Sequence, residues 1–193
     1  MSDCKEVFEE IYRTKLWGEG SGGGALPPVA QPFADLVSRL LVEMNVRMVL
    51  DIGCGDGRAS SLWELGEAFY YGCDCSPAII AKAKTLYPER LFFVKDSIEG
   101  PFPRGLFDLV VVKEVTQHLS DDDVMALFER LRVLGARVLH CSCMAPGIHN
   151  EGRTGGYRAV RLSDPPWNAR TESMLEWEAN GQPYQAELWR PGR

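Results

Sequence analysis

The sequence predicts an α/β fold, in which a doubly wound, mostly parallel sheet carries an antiparallel hairpin at its C-terminal edge. Three observations predict it. Short apolar runs alternate with segments of helical periodicity along most of the chain, which is typical of a parallel sheet covered by helices. The first of these runs ends in a glycine-rich turn. Near the C-terminus, an Asn-Gly pair separates two alternating runs, as in a β-hairpin.

The N-terminal part of the sequence predicts two helices joined by a glycine-rich loop. Apolar residues recur at helical spacing over residues 3–16 and again over Val29–Asn45, so each segment should form an amphipathic helix. The run between them, Trp17–Gly24, holds too many glycines for a helix or a strand. It is either a flexible linker or a lid over a ligand, with Trp17 as an apolar wall and the glycines as hinges.

The first strand and the turn after it are the centre of the predicted site. The apolar run Met48–Ile52 predicts a buried strand. Glycines follow at positions 53, 55 and 57, where the backbone must turn sharply and let a ligand come close. Asp74 ends the next apolar run, roughly 20 residues later, which is the spacing at which such sheets bind a ribose through its hydroxyls. The alternative is a tight turn that binds nothing.

The middle of the chain completes the alternation of strands and helices. Ser76-Pro77 and Ser120 are helix starts, because a serine hydroxyl caps the first turn, and Gly135 ends the later helix. Helices are expected over 58–67, 76–86 and 120–134, the first with Leu62 and Trp63 facing the core. Further strands are expected over 69–74, 90–94, 107–112 and 136–141.

The tail after residue 143 is rich in strand patterns. Residues 157–162 alternate apolar and basic side chains and predict a strand. Asn180-Gly181 predicts a hairpin between strands over 174–178 and 184–190. A helix over 171–179 is the alternative for the first strand of that hairpin.

Four features converge on one edge of this Rossmann-like sheet. They are the glycine turn, Asp74, Asp96 and the loop Lys113–His118, and each follows a predicted parallel strand. Ligands of open α/β sheets bind outside the carboxyl ends of the strands, where the strand order reverses. The sequence therefore predicts a binding site at this edge.

Composition limits the classes of partner. The 193 residues are 45% hydrophobic and 25% charged, which suits one globular domain. The formal net charge of -6 and the pI near 5.2 disfavour a broad nucleic-acid-binding surface. We expect no membrane partner, because no apolar run is long enough to span a bilayer. The acidic N-terminus has no apolar signal core, so a cytoplasmic location is expected. The sequence gives no oligomeric state.

The 6 cysteines do not form a C-x-x-C pair, so we expect free thiols packed as small apolar groups. The alternative is a metal site shared by Cys73-x-Cys75 and Cys141-x-Cys143. The predicted fold disfavours it, because it places the two pairs on strands that are not neighbours.

The glycine turn departs from the G-x-G-x-x-G pattern of nicotinamide-binding sheets, because Ser60 occupies the third glycine position counted from Gly55. Its pattern, Asp51-x-Gly53-x-Gly55-x-Gly57, instead resembles the first motif of class I S-adenosylmethionine-dependent methyltransferases. Asp74, Asp96 and Lys113-Glu114 resemble later motifs of that class. The resemblance covers residues 46–143.

The resemblance implies a role for each of these positions. In that class the acid after the second strand binds the ribose hydroxyls, and the position after the third strand faces the adenine. The end of the fourth strand lies beside the methionine part and the methyl group, where Lys113 contributes its side chain or only its backbone. The implied cofactor is S-adenosyl-L-methionine, and the implied cofactor-binding residues are Trp17, Asp51, Gly53, Cys54, Gly55, Asp74, Cys75, Asp96, Ser97, Ile98 and Lys113.

The flanks resemble one branch of these enzymes, through Tyr12-Arg13-x-x-x-Trp17-Gly18 and Gly156-Tyr157-Arg158. In that branch the Trp-Gly loop is followed by Ser-Gly-x-Gly-Ser, whereas this chain has Gly22-Gly23-Gly24-Ala25 and lacks the final serine. We expect a single methyltransferase domain over residues 1–193. It would comprise N-terminal helices and a glycine-rich lid (1–45), a cofactor-binding core (46–143) and a β-rich tail (144–193).

A base near the methyl group helps the reaction, because an oxygen or nitrogen acceptor loses a proton. Glu114 and His118 are the candidate catalytic residues, since they lie four residues apart in the loop after the fourth strand and would share a helical face. Alternatively, Glu114 contacts the cofactor's amino group or a structural partner, and His118 only packs or caps a helix. Tyr157, Arg158 and Trp167 either line an acceptor pocket or pack at the surface.

The predicted function is methyl transfer from S-adenosylmethionine to an oxygen or nitrogen of a small-molecule or sugar-like acceptor. The alternatives are a methyltransferase of nucleic acid or protein, a non-catalytic S-adenosylmethionine-binding protein and a nicotinamide oxidoreductase. The acidic charge disfavours nucleic acid. The Asp-Pro-Pro-Trp run at 164–167 lies in the tail, away from the place where base methyltransferases carry a similar signature. The glycine motif and the acids indicate binding, which leaves the non-catalytic alternative open.

Overall fold

A seven-stranded sheet forms the centre of the protein in a computed structural model that describes residues 4–96, 99, 102–145 and 154–191. The strands are β1 (Met48–Ile52), β2 (Phe69–Asp74), β3 (Leu91–Val94), β4 (Leu109–Lys113), β5 (Arg137–Cys143), β6 (Thr171–Ala179) and β7 (Gln182–Trp189). Their order across the sheet is β3-β2-β1-β4-β5-β7-β6.

The first five strands are parallel, and the chain changes direction across the sheet between β1 and β4. β1 pairs with β2 on one side and with β4 on the other, so the strand order reverses beside β1. β7 is antiparallel to β5, and β6 is antiparallel to β7. This topology confirms the predicted mostly parallel sheet with an antiparallel C-terminal hairpin.

Helices cover both faces of the sheet. They are α1 (Cys4–Arg13), α2 (Pro27–Glu43), α3 (Pro77–Leu86) and α4 (Asp121–Leu134), with 3-10 turns at Gly23–Ala25, Ser60–Leu62 and Thr116–His118. Val110 and Val112 of β4 pack in a core with α1 and α4. Leu109 and Val111 face the opposite core, which α2 and α3 complete. Because both faces are buried, β4 consists of consecutive apolar residues.

The C-terminal hairpin forms where the Asn-Gly pair predicts it. Asn180 and Gly181 have φ values of 53° and 70°, as the favoured two-residue hairpin turn requires. β6 extends over Thr171–Ala179, so the helical alternative for this segment is wrong.

The helix predicted over residues 58–67 is wrong, because this segment contains only the 3-10 turn Ser60–Leu62. The Ser61 hydroxyl donates to the Arg58 carbonyl at 2.7 Å, and Ser60 Oγ lies 3.2 Å from the Gly57 carbonyl oxygen. Such local bonds compete with helix formation. Trp63 is nevertheless buried, as predicted, while Leu62 is half-buried.

The strand predicted over residues 157–162 is also wrong, because its backbone N–H groups bond to loops and side chains. Arg158 N donates to the Gln117 carbonyl at 3.0 Å. Val160 N donates to Ser142 Oγ at 3.3 Å, and Leu162 N to Glu187 Oε1 at 2.6 Å. Val160 and Leu162 of this segment pack in the core with α1 and α4, and Arg158 joins it to the turn that precedes α4.

The two cysteine pairs lie at the ends of β2 and β5, with β1 and β4 between them. The prediction that these strands are not neighbours is confirmed. Within the described ranges, no helix is both long and apolar enough to cross a bilayer.

Candidate functional site

The glycine turn after β1 has almost no room for side chains. Gly53 and Gly55 have φ values of 69° and 56°. A Cβ on Gly53 would lie 2.3 Å from Val115 Cγ2, and one on Gly55 would lie 2.0 Å from Ser21 Oγ. Glycine is therefore required here for two reasons: two other loops pack against the turn, and the φ values are positive.

Asp74, at the end of β2, is bound by the backbone of the turn. Its Oδ2 accepts a hydrogen bond from Gly55 N at 3.1 Å, and its Oδ1 accepts one from Ser76 N at 3.0 Å. The backbone and the thiol of Cys75 also form hydrogen bonds to this carboxylate. Burial raises the pKa of Asp74 to about 6, against the opposing backbone hydrogen bonds.

Asp51, at the carboxyl end of β1, is held by a buried network beneath the turn. The Tyr70 hydroxyl donates to Asp51 Oδ2 at 2.8 Å, and Ser60 Oγ donates to the Tyr70 oxygen at 2.9 Å. Burial raises the pKa of Asp51 to about 7, although the bond from Tyr70 opposes this. Asp51 thus combines a structural anchor with a position in the wall of the site.

Lys113 and Glu114 form an ion pair at the end of β4. Glu114 has a φ of 55°, an uncommon conformation for a residue with a side chain, and its N–H donates to the Cys141 carbonyl at 2.7 Å. Its carboxylate pairs with Lys113 Nζ, which also donates to the Gly24 carbonyl at 2.8 Å. Burial alone would lower the pKa of Lys113, but the Glu114 carboxylate raises it above its usual value.

His118 lies under the aromatic end of the glycine-rich loop. Its ring centroid is 4.7 Å from that of Trp17, and its Nδ1 lies 2.5 Å from the Gly156 carbonyl oxygen. Burial lowers the pKa of His118, although the Gly156 carbonyl and Glu114 oppose the shift. The imidazole is therefore neutral at neutral pH.

The loop Trp17–Gly24 is attached to the site through Asp56, which is fully buried. Ser21 Oγ accepts from Asp56 N at 2.7 Å and donates to its Oδ1 at 3.0 Å. Arg58 binds Asp56 Oδ2 at 2.8 Å and the Glu19 carbonyl at 3.0 Å. The loop is thus packed on the glycine turn, as the lid interpretation expects. Sequence reasoning missed Ser21 and Asp56, although both lie in the glycine-rich segments that signalled the site.

These loops enclose a cavity of about 270 Å³ at the carboxyl edge of the sheet. Ten of the predicted site residues line it: Trp17, Asp51, Gly53, Cys54, Asp74, Cys75, Asp96, Lys113, Glu114 and His118. Gly55 packs against Ser21, which lines the cavity. Ser97 and Ile98 lie outside the described residues. Tyr12, Gln117 and Leu119 also line the cavity and were not predicted.

The tail residues considered for an acceptor pocket pack beside this cavity. The Tyr157 hydroxyl donates to the Cys143 carbonyl at 3.0 Å. The Arg158 guanidinium pairs with Asp121 and lies 5.5 Å from the centre of the Trp167 ring. These contacts favour the packing alternative for the three residues.

Residues 50–137 match the family described as "Methyltransferase domain". The matched segment runs from β1 to the start of β5 and includes the glycine turn and Glu114. Over these residues the chain is similar to methyltransferase domains, whose cofactor is S-adenosylmethionine.

Curated relatives match a larger part of the chain. The ubiquinone biosynthesis O-methyltransferase of Schizosaccharomyces pombe is 32% identical over 145 residues, which make up 68% of this chain and 52% of that protein. A trans-aconitate 2-methyltransferase of Escherichia coli O1:K1 is 33% identical over 96 residues, 48% of this chain and 36% of that protein. The chain therefore spans only part of the length of these relatives.

A solved structure agrees with the fold. The magnesium protoporphyrin IX methyltransferase of Synechocystis PCC 6803, with bound S-adenosylhomocysteine, superposes with a TM-score of 0.62 at 21% identity. The match covers 96% of this chain and 99% of that one. At this identity, the similarity establishes the shared methyltransferase fold.

The cavity residues suit S-adenosylmethionine. Asp74 places a carboxylate in the cavity wall, and carboxylate oxygens are acceptors that suit ribose hydroxyls. Because the crowded glycines have no side chains, their backbone borders the cavity and a ligand can approach it closely. Glu114 and Asp51 place acidic groups near a ligand that carries a sulfonium charge and an amino group.

Proposed function

We propose that this chain transfers a methyl group from S-adenosylmethionine to an oxygen or nitrogen of a small-molecule acceptor. The observation that supports this most is the convergence of Asp74, Glu114 and His118 on one cavity. Asp74 supplies ribose acceptors, and Glu114 and His118 lie in the loop after β4.

The cofactor supplies an electrophilic methyl group on sulfur, so that no covalent bond to the protein is required. The work left to the chain is to position both reactants and to remove a proton from the acceptor. Asp74 and the glycine turn would hold the ribose, and Asp96 and Cys75 would border the adenine. The closed loop Trp17–Gly24 would exclude water.

His118 is the better of the two candidate bases. The Glu114 carboxylate already forms an ion pair with Lys113 Nζ, and removing its charge would leave a buried cation unpaired, which is costly. His118 is neutral and borders the cavity, so its free ring nitrogen can take up a proton. Glu114 would instead orient Lys113 and face the positive methionine end of the cofactor.

A small acceptor is supported by the relatives. The cavity volume of about 270 Å³ lies just below the usual range of small-molecule sites, about 300–1,000 Å³, and its lining includes the residues proposed for the cofactor. The curated relatives are named for trans-aconitate and for ubiquinone biosynthesis. Both names support an acceptor of low molecular weight.

Calorimetry with S-adenosylmethionine, S-adenosylhomocysteine and NAD tests the cofactor. We expect binding of the first two only, and a chain that binds neither would contradict the proposal. Turnover is tested by S-adenosylhomocysteine release in the presence of small carboxylic acids, phenols and amines, with duplex DNA and a protein extract as further acceptors. Release with a small acceptor supports the proposal, whereas release only with DNA or protein supports the macromolecular alternative.

The non-catalytic alternative has its own outcome. A chain that binds S-adenosylmethionine but methylates none of these acceptors would favour it. A His118→Gln variant serves as the matched control, because it should keep cofactor binding while slowing release by a factor of about 10²–10⁴, the usual contribution of a general base. Equal turnover in the variant would remove His118 from the mechanism.

A further inference from the structure

Gln117 is a buried amide, only 4% exposed, that lies between His118 and the end of β5. Its Oε1 is 3.0 Å from Cys143 N and 3.1 Å from Ser142 Oγ. A peptide N–H can only donate, so the atom facing it must be the amide oxygen. The amide NH₂ group of Gln117 therefore points the other way, toward His118 Nε2 at 3.3 Å.

The two contacts of the His118 ring specify the same tautomer. Nδ1 faces the Gly156 carbonyl oxygen at 2.5 Å, which can only accept, so Nδ1 carries the proton. Nε2 faces the NH₂ group of Gln117, which can only donate, so Nε2 presents its lone pair. Glu114 is the charged group that acts on this ring, and the rings of Trp17 and Tyr157 lie 4.7 and 6.2 Å from it.

We propose that Gln117 is a positioning residue, which holds His118 as the Nδ1–H tautomer with the Nε2 lone pair available at the cavity. Both residues line that cavity. The use of this arrangement in catalysis rests on the proposed methyl transfer. The arrangement itself does not, because it follows from the hydrogen bonds of β5 and of residue 156.

The arrangement suits a base that is protonated once in each turnover. The 3.3 Å contact between the Gln117 amide and Nε2 joins two neutral groups and is therefore a modest bond, which an acceptor O–H or N–H group can replace. The acceptor's O–H or N–H bond then breaks, and its proton bonds to Nε2. The electron pair of the acceptor atom forms the bond to the cofactor's methyl group. The sulfur keeps the electron pair of the broken bond between sulfur and methyl. The imidazolium remains bound to Gly156 through Nδ1 and later loses the Nε2 proton to water.

Nitrogen NMR of the full-length protein tests the tautomer directly. The chain has only 3 histidines, and a His118→Gln spectrum assigns the signals of this one. At pH 7.5 we expect Nδ1 to give a protonated-type shift and Nε2 an unprotonated-type shift, with and without S-adenosylhomocysteine. The reverse tautomer, or an equal mixture of both, would overturn the proposal.

A Gln117→Glu variant separates positioning from packing. The substituted carboxylate can keep the bond from Cys143 N while its second oxygen faces His118 Nε2. That oxygen favours a proton on Nε2, so the pKa of His118 should rise by at least about one unit, a tenfold change in its proton affinity. Ser142→Ala is the control, because it removes a donor from Gln117 Oε1 without altering the NH₂ group, and it should leave the pKa of His118 in place.

The outcomes distinguish this proposal from the proposed function. Neither measurement needs a methyl acceptor, so a chain without methyltransferase activity can still show the tautomer and the shift. An unchanged pKa of His118 in a folded Gln117→Glu variant would refute positioning by Gln117. If that variant does not fold, the wild-type nitrogen spectrum still decides the tautomer.

Discussion

Replacement of Asp74 by asparagine tests the predicted ribose contact, because it removes the charge and nearly preserves the shape. In the structure, Asp74 Oδ2 accepts from Gly55 N and Oδ1 accepts from Ser76 N. An asparagine keeps one oxygen and presents an NH₂ group at the other position, where a backbone donor faces it. The variant thus loses one backbone bond and one of the two acceptors proposed for the ribose.

The expected loss follows from the value of charged hydrogen bonds. Such a bond contributes about 1.5–3 kcal/mol, and an ordinary one about 0.5–1.5 kcal/mol. The remaining oxygen of asparagine compensates in part, so we expect the affinity for S-adenosylhomocysteine to fall by about 1–3 kcal/mol, or roughly 5- to 150-fold.

The pH dependence provides a second readout of the same group. Ribose hydroxyls donate to the ionised carboxylate, and the pKa of Asp74 is raised to about 6 in the folded chain. Binding should therefore be strongest above pH 6 and weaken as the pH falls through 6, by at most about tenfold per pH unit for one proton. Asp74→Asn should remove this part of the slope, which also separates it from any titration of Asp51.

Titration calorimetry from pH 5 to 8 measures both effects. The exposed Glu178 on β6 provides the control, since Glu178→Gln removes one negative charge far from the glycine turn. Wild-type affinity in Asp74→Asn, or an unchanged pH slope, would refute the assignment of the ribose to Asp74.

Three further predictions test the loop, the first strand and the tail. A Cβ at Gly20 would lie 2.2 Å from Asp56 Oδ2, so Gly20→Ala should displace the loop and weaken S-adenosylhomocysteine binding by calorimetry. Glu178→Gln, far from this loop, is the control and should bind normally; an affinity of Gly20→Ala equal to that of wild type would show that loop closure does not matter. Burial raises the pKa of Asp51 to about 7, so ionising it destabilises the fold as the pH rises from 4 to 7. In urea unfolding, the free energy of unfolding of Asp51→Asn should thus rise relative to that of wild type as the pH increases over this interval. A difference between the two free energies that does not change with pH would contradict this. Glu187 accepts hydrogen bonds from Leu162 N and from the Thr171 hydroxyl, so Glu187→Ala leaves a buried N–H without its acceptor and should lower the free energy of unfolding by about 1–3 kcal/mol; an unchanged free energy of unfolding would contradict this.

Much of the fold could be predicted because its signals are local. The run that forms β4 has no polar residue before Lys113, and Asn180-Gly181 carries its own turn preference. The errors arose where side chains, either local or distant in sequence, decide the path of the backbone. Residues 58–67 have a helical sequence pattern, but the serine hydroxyls contact the carbonyls of Gly57 and Arg58 instead. Residues 157–162 alternate like a strand, yet their N–H groups bond to groups on three separate elements.

The cofactor side of the site was predictable for the same reason. Asp51, the glycines and Asp74 follow consecutive strands, and parallel strands bring such residues to one edge. The loop Trp17–Gly24 was ambiguous, because its composition fits a linker equally well. Its position is decided by the buried Asp56, whose bonds to Ser21 join residues that are 35 positions apart in sequence.

The acceptor side depends on contacts that no local pattern contains. His118 could be chosen from its place after β4, but its protonation is set by the carbonyl of Gly156 and the amide of Gln117. Gln117 is in turn oriented by β5, through the Cys143 N–H group. A change that moves the Gly156 carbonyl or the Cys143 N–H group can therefore alter the protonation of His118 without touching the cavity. This makes the tautomer of His118 a sensitive measure of how the tail packs against the sheet.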